Sequence, residues 1–148
     1  MTVSMLRLLA VVTLTLTGCG GSSPEDALRQ RVDDASAAVE ERDTGYFRDL
    51  LSDSFVSARG LNREAAINRI RGLFLAYPRV AVIRGGQEIE LQGDSAAQVR
   101  IRAGLVGNQG RPLAGFSADL YLFELEFVRE SDGEWRLIGA DYSSARGP

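Results

Sequence analysis

The sequence has 148 residues, a formal net charge of −3, and 45% hydrophobic and 25% charged residues. Length and composition indicate one globular domain and exclude a disordered chain, a collagen and a multi-span membrane protein. Histidine is absent and all 17 basic residues are arginine. Catalysis that depends on a histidine base, a histidine-ligated metal or a reactive lysine is therefore excluded.

The N-terminus has the pattern of a secretory signal. Arg7 precedes an apolar run at residues 8–16, and small residues follow it. This run is about half as long as the roughly 20 apolar residues of a membrane-spanning helix, so residues 1–18 are predicted to be a signal peptide. Met5 is an alternative start, because the segment that follows it keeps Arg7 and the apolar run.

The signal ends in Leu16-Thr17-Gly18-Cys19, which resembles a bacterial lipobox. The resemblance implies cleavage before Cys19, diacylglycerol on its sulfur, and an acyl chain such as palmitate on its new amino group. The alternative is an ordinary thiol, although a lone cysteine in an exported protein would be an odd reactive group. Gly20 follows where aspartate would imply retention in the inner membrane. The resemblance therefore implies an outer-membrane lipoprotein that faces the periplasm.

Residues 19–24 are rich in Gly and Ser and are predicted to form a flexible tether. Loss of Arg7 leaves 16 arginines against 20 acidic residues, a formal charge of −4. Nucleic acid is not an expected partner, because a protein that binds phosphate backbones carries a basic surface. The expected partner is the membrane, through the lipid anchor.

Three helices are predicted in the first half of the domain. The first extends from Glu25 to about Arg42 after Pro24, and the second from Tyr46 to Leu51. Asn62 is suited to cap a third helix that continues to about Tyr77. The apolar stripes of the first and third helices are Leu28, Val32, Ala35 and Val39, and Ile67, Ile70, Phe74 and Tyr77.

After Pro78 the hydrophobic period changes from 3.6 to 2, which predicts antiparallel strands joined by short turns. Gly85-Gly86 is predicted to form a bulge in the first strand. Phe55-Val56-Ser57 is a further short strand candidate. The predicted strands are Val80 to Gln92, Ala96 to Val106, Phe116 to Arg129 and Glu134 to Tyr142.

Helices followed by strands predict an α+β fold with three N-terminal helices packed on a long curved antiparallel sheet of about four strands. Residues 25–143 resemble the nuclear transport factor 2-like superfamily, with residues 144–148 as a tail. The resemblance implies a cone-shaped domain with a pocket at its open end. That superfamily includes isomerases, dehydratases, hydrolases, cyclases and non-catalytic members, so the fold does not give the function. The residues that carry the resemblance are Phe47 to Phe55, Asn62-Arg63-Glu64-Ala65-Ala66 and Asp132-Gly133-Glu134-Trp135-Arg136-Leu137.

The last hairpin decides which side chains face the helices. A two-residue turn would place Arg136 beside Arg129, whereas a three-residue loop, Ser131 to Gly133, pairs Phe127 with Leu137. We therefore expect the three-residue loop, with Glu126 near Arg136 on the other face. The concave stripe is then Tyr121, Phe123, Leu125, Phe127, Trp135 and Leu137.

Two carboxylates are predicted on this concave face. Asp119 lies two residues before Tyr121, and the expected register places Asp141 opposite Phe123. Desolvation there would raise their pKa values and suit them to proton transfer. The alternative is that both are solvated or paired with arginine near strand ends, and that the aromatic stripe is core. The predicted ligand-binding residues are Tyr77, Tyr121, Phe123 and Trp135.

The opposite face of the sheet carries charged residues interrupted by Leu120, Leu122 and Val128, which favours exposed ion pairs or a homodimer interface. We expect no metal site and no cofactor. The leading hypothesis is a lipid-anchored envelope protein that binds a small apolar ligand or a partner protein without catalysis. The alternatives are an isomerase, cyclase or hydrolase that uses the two carboxylates, and a structural assembly module. The predicted charged residues are Glu88, Glu90, Arg100, Arg102, Glu124, Glu126 and Arg136.

Overall fold

A computed structural model describes residues 21–107 and 120–145 of the chain. Three helices precede four strands, which confirms the predicted α+β order. Within the described residues, no helix is long and apolar enough to cross a membrane. The elements are α1 (Pro24–Glu41), α2 (Thr44–Leu50), α3 (Arg63–Ala76), β1 (Ala81–Gln92), β2 (Ala96–Val106), β3 (Tyr121–Arg129) and β4 (Trp135–Ser144).

Each helix begins at a side-chain cap. Ser23 accepts a hydrogen bond from the Asp26 backbone N–H at the start of α1, and Asp43 does the same for the start of α2. Asn62 Oδ1 accepts from the Ala65 N–H at 2.9 Å, which confirms the predicted cap of α3. These oxygens satisfy N–H groups that have no partner within the helix, and therefore fix where each helix begins.

The sheet is antiparallel throughout, with strand order β1-β2-β3-β4. The β1–β2 register shifts between Arg84 and Gln87, so the bulge predicted at Gly85-Gly86 is confirmed. The segment after α2 lies along β4, where the Val56 N–H donates to the Ile138 carbonyl at 3.0 Å. The strand suggested at Phe55 to Ser57 forms only an isolated bridge, between Val56 and Asn62.

The β3–β4 hairpin has the predicted three-residue loop. The Gly133 N–H donates to the Glu130 carbonyl at 2.9 Å, and Gly133 has a φ of 85°, a left-handed conformation that glycine adopts without strain. Phe127 pairs with Leu137 as expected. The alternating core stripe of both strands therefore faces the helices.

A second bulge, at Ile138, changes the register beyond this point. Phe127 pairs with Leu137, but Glu126 pairs with Gly139, so Ile138 is an extra residue in β4. The expectation that Asp141 lies opposite Phe123 is wrong, because the shift brings Tyr142 to that position and pairs Asp141 with Glu124. One extra residue reverses the face of every later side chain.

The core lies between the three helices and the concave face of the sheet. Leu28 of α1 and Val99 of β2 are completely buried, and Trp135 and Leu137 of β4 join them. The first residue of the buried core cluster in the sequence is Leu28, and the last is Leu137. A chain from Ser22 to Pro148 therefore contains every described helix, strand and core residue, and we expect it to fold on its own.

Candidate ligand-binding site

A cavity of about 160 Å³ lies inside the cone, between α1, α2 and the concave face of the sheet. We call it the inner cavity. Phe123, Leu125 and Phe127 of β3 form one wall, and Val32, Ala35 and Val39 of α1 form another. The remaining apolar lining residues are Phe47, Leu50, Val82, Ile101, Ala103, Leu105 and Leu137.

The polar residues at this cavity already have partners. Arg31 forms an ion pair with Glu134, and Arg84 forms one with Asp33. The Ser36 hydroxyl donates to the Val32 carbonyl at 3.0 Å. Because these groups are satisfied elsewhere, the inner cavity offers a ligand an apolar surface.

A second pocket, of about 340 Å³, opens between α3 and the C-terminal half of β4. We call it the mouth pocket. It shares Leu105 and Phe123 with the inner cavity, so the two spaces adjoin inside the cone. Its other apolar lining residues are Leu61, Ala66, Ile70, Leu73 and Ala140.

An arginine and three aromatic rings meet at the edge of the mouth pocket. The Arg59 guanidinium carbon lies 4.1 Å from the centre of the Tyr142 ring, and the guanidinium also donates to the Tyr142 hydroxyl. The Tyr142 ring lies 5.8 Å from that of Tyr121 and 5.9 Å from that of Phe123. The cation–π contact and the ring contacts hold Arg59 at the rim.

Arg69 of α3 and Asp141 of β4 complete the rim. Neither Arg59 nor Arg69 has a carboxylate partner among the described residues. Both arginines are exposed. The mouth pocket therefore combines an apolar wall with two guanidinium groups that are available to a ligand.

The end of the cone at residues 130–134, which we call the closed end, is organised differently. Arg136 contacts Glu130 at 2.6 Å and Asp132 at 2.7 Å, so the expected position of Glu126 near Arg136 is wrong. Hydrogen bonds from Arg136, and then from the Glu134 N–H, lower the pKa of Asp132 to about 2. The buried Ser52 hydroxyl donates to Glu130 at 2.7 Å.

The predicted ligand residues lie in different places. Phe123 lines both spaces, and Tyr121 contacts Tyr142 beside the mouth pocket. Trp135 is 4% exposed and belongs to the core under the start of α1. Tyr77 follows the last turn of α3 and lines neither space.

Of the two predicted carboxylates, Asp141 lies exposed at the rim of the mouth pocket. Its side chain accepts a hydrogen bond from the Tyr142 backbone N–H at 2.7 Å. Asp119 lies outside the described residues, as does Cys19. No group of histidine, cysteine or acidic side chains that could hold a metal is found in residues 21–107 and 120–145.

Sequence reasoning did not single out Arg59, Arg69 or Tyr142. Tyr142 was missed because the bulge at Ile138 was not foreseen, although the neighbouring Gly139 is a recognised signal of one. A Cβ on Gly139 would lie 2.9 Å from a Glu126 carboxylate oxygen, so a larger residue there would displace the exposed Glu126 side chain. The two arginines meet only through tertiary contacts, for which the sequence has no local signal.

The convex face of the sheet has the predicted charged character. Arg100 of β2 contacts Glu124 of β3 at 3.3 Å, and both side chains are about two-fifths exposed. Pairs of this kind contribute about 0 to 1 kcal/mol each. Leu122 and Val128 lie on the same face, between the charged residues.

Solved structures with the same arrangement of helices and strands identify the fold. A nuclear transport factor 2-like superfamily protein from Salmonella enterica has a TM-score of 0.66 and 12% identity, covering 81% of this chain and 89% of its own. A candidate dehydratase of that family from Streptomyces avermitilis has a TM-score of 0.66 and 16% identity, with coverage of 81% and 94%. The chain has the nuclear transport factor 2-like fold.

The Bd1075 protein of Bdellovibrio bacteriovorus has a TM-score of 0.68 and 14% identity over 80% of this chain. The match spans only 41% of the length of Bd1075. No family model and no curated protein matches the sequence. At these low identities, the nuclear transport factor 2-like fold gives the arrangement of helices and strands around the site. The chemistry of the site must be argued from the residues of this chain.

Proposed function

We propose that this chain is a lipid-anchored protein of the bacterial cell envelope whose cone binds a small apolar ligand without catalysis. The observation that carries the proposal is the inner cavity, whose wall is apolar and whose arginines are paired with carboxylates. An apolar cavity of about 150 Å³ in another protein stays dry and binds benzene. The inner cavity has a similar volume and an apolar wall, so an apolar group that enters it buries its surface against side chains of the same kind.

Binding is favoured over catalysis by the positions of the acids. On the described walls of the inner cavity and the mouth pocket, the one carboxylate is that of Asp141, which is exposed at the rim. A carboxylate that acts as a general acid or base usually lies where the pocket excludes water, whereas Asp141 is exposed to solvent.

The start of α1 supports an anchor at the closed end. Arg31 of α1 pairs with Glu134, and Pro24 lies in the same groove as Gly133 and Trp135. Residues 19–23 reach at most roughly 17 Å when fully extended. The closed end would then lie near the membrane, and the mouth pocket, at the other end of β3 and β4, would face away from it.

The anchor is tested by the intact mass of the full chain expressed in a bacterium with lipoprotein processing enzymes. We expect cleavage before Cys19 and the added mass of diacylglycerol and one acyl chain, and loss of both in Cys19→Ala. A wild-type chain that keeps its leader, or that carries an unmodified Cys19, would contradict the anchor.

The cavity is tested by titrating residues 22–148 with N-phenyl-1-naphthylamine, a neutral apolar dye whose fluorescence rises on burial. We expect saturable binding with one site per chain. Ala103→Leu fills the inner cavity, because Ala103 lines it and is 6% exposed, and should abolish binding. The control is Ala81→Leu, at an exposed position of the same sheet. Equal binding by both variants would contradict the proposed site.

A homodimer through the convex face, where Leu122 and Val128 lie, stays a prediction. Sedimentation velocity of residues 22–148 checks it. A dimer that persists in Val128→Arg would exclude this face.

A further inference from the structure

The polar groups around the two spaces suggest what kind of molecule the cone accepts. At the inner cavity, Arg31 and Arg84 are neutralised by Glu134 and Asp33. At the mouth pocket, Arg59 and Arg69 have no carboxylate partner among the described residues. The positive charge that is available to a ligand therefore lies at the rim.

Apolar side chains line both spaces, from this rim inwards to the inner cavity. Ile70 and Leu73 of α3 face Ala140 of β4 across the mouth pocket, and Leu105 and Phe123 lead to the inner cavity. The mouth pocket alone, at about 340 Å³, is as large as the smaller ligand pockets of proteins, which span about 300–1,000 Å³. A ligand with its body against these side chains would leave its end group near Arg59 and Arg69, which line the same pocket.

The Arg59 guanidinium is oriented by Tyr142. The ring lies under the guanidinium and its hydroxyl accepts a hydrogen bond from it, so the side chain is held without losing its positive charge. A guanidinium held in this way loses less conformational entropy when it binds an anion. Tyr142 is thus a positioning residue.

We propose that the cone binds an amphiphile whose apolar body fills the mouth pocket and inner cavity and whose anionic head, a carboxylate or a phosphate, pairs with Arg59 and Arg69. The inference rests on the proposed ligand-binding function and adds the chemistry of the ligand. Asp141, on the same rim, disfavours a second anionic group, but two arginines against one aspartate leave a net positive charge on the described rim. A cationic head would be repelled by both guanidinium groups.

The test compares ligands that share one chain and differ in the head. Residues 22–148 are titrated calorimetrically with decanoate, decyl phosphate, 1-decanol and decyltrimethylammonium. We expect the better of the two anions to bind at least about tenfold more tightly than the alcohol, as charge-assisted hydrogen bonds predict. Whichever anion binds more tightly identifies the head as carboxylate or phosphate.

The arginines are tested with the double variant Arg59→Gln, Arg69→Gln. We expect it to lose about tenfold or more in affinity for the anion and to keep its affinity for 1-decanol within about twofold. The control is Arg71→Gln, a substitution on the same helix at a residue outside both spaces, which should bind as the wild type does. Equal circular dichroism spectra and unfolding midpoints verify that all variants are folded.

The outcomes distinguish the inference of an anionic head from the ligand-binding function on which it rests. Equal binding of all four compounds, or an equal loss of decanol and anion affinity in the double variant, would overturn the anionic head and leave the ligand-binding function standing. Tighter binding of the cation would also overturn the inference. If none of the four compounds binds, the anionic amphiphile is overturned, and the ligand-binding function fails as well only if N-phenyl-1-naphthylamine does not bind either.

Discussion

At the closed end of the cone, Arg31 and Arg136 form ion pairs with carboxylates, whereas at the mouth Arg59 and Arg69 form none among the described residues. The buried polar group at the closed end, Ser52, is also hydrogen-bonded. The difference indicates that one end of the sheet serves stability and the other end serves ligand binding. At one end, the paired Arg31 and Arg136 and the hydrogen-bonded Ser52 lie beside a filled core. At the other, Arg59 and Arg69 lie beside an apolar pocket that a ligand can enter.

The largest expected effect comes from the core of the closed end. Trp135→Ala removes an indole that is 4% exposed, and should lower the free energy of unfolding by about 3–5 kcal/mol in a urea titration. The control Leu75→Ala, at a side chain that is 80% exposed, should change it by less than about 0.5 kcal/mol. A loss below about 1 kcal/mol for Trp135→Ala, with loss of ligand binding, would assign Trp135 to the ligand site instead.

Ser52→Ala tests how much a single hydrogen bond stabilises the closed end. The Ser52 hydroxyl is buried and donates to Glu130 at 2.7 Å, so its removal should cost about 1–3 kcal/mol of unfolding free energy. Ser131→Ala is the control, because Ser131 is exposed in the neighbouring hairpin loop. An equal cost for both would show that the Ser52–Glu130 bond does not stabilise the closed end.

Arginine substitutions at the two ends should separate stability from binding. Arg136→Gln breaks two ion pairs and should lower the urea midpoint, with unchanged affinity for the anionic amphiphile. Arg59→Gln should lower that affinity and change the midpoint less than Arg136→Gln does, because Arg59 is exposed and loses its contacts with Tyr142 but no ion pair with a described carboxylate. The reverse pattern would contradict the assignment of stability to the closed end and of ligand binding to the mouth.

The smallest expected effect is the titration of Asp132. Its pKa is about 2, lowered from 3.8 first by hydrogen bonds from Arg136 and then by the Glu134 N–H. Because the folded pKa is depressed, its contribution to stability is complete above pH 4 or so and is lost as the pH falls towards 2. The effect is small and screened by salt, since the groups are exposed.

Carbon-detected NMR of the Asp132 carboxyl checks this pKa. Arg136→Gln should move it upwards towards 3.8. A value near 3.8 already in the wild type would mean that the Arg136 contact does not form in solution.

The sequence predicts those features of the fold that depend on neighbouring residues. Asn62 marks the start of α3, and the charges flanking Ser131 to Gly133 select the hairpin loop, because a cap and a short loop depend on neighbouring residues. The face of Asp141 could not be inferred by counting along β4, since the extra residue at Ile138 arises where Gly139 passes close to Glu126.

The candidate site is predicted less well for the same reason. The apolar stripe of β3 follows from its period of two, and Phe123 of this stripe lines the cavity. Arg59 and Arg69 come from a loop and a helix that meet only after the chain has folded. No periodicity in the sequence predicts that Arg59 and Arg69 line the same pocket.

The central claim, that the cone is a ligand-binding site, is tested most directly by native mass spectrometry of residues 22–148 purified from bacterial cells. The masses before and after denaturation are compared, and again after the protein is soaked in a lipid and metabolite extract. Our account predicts a small molecule that is released on denaturation, with one copy per chain. The same apo mass under all conditions would contradict the account and favour a structural module whose cavity stays empty.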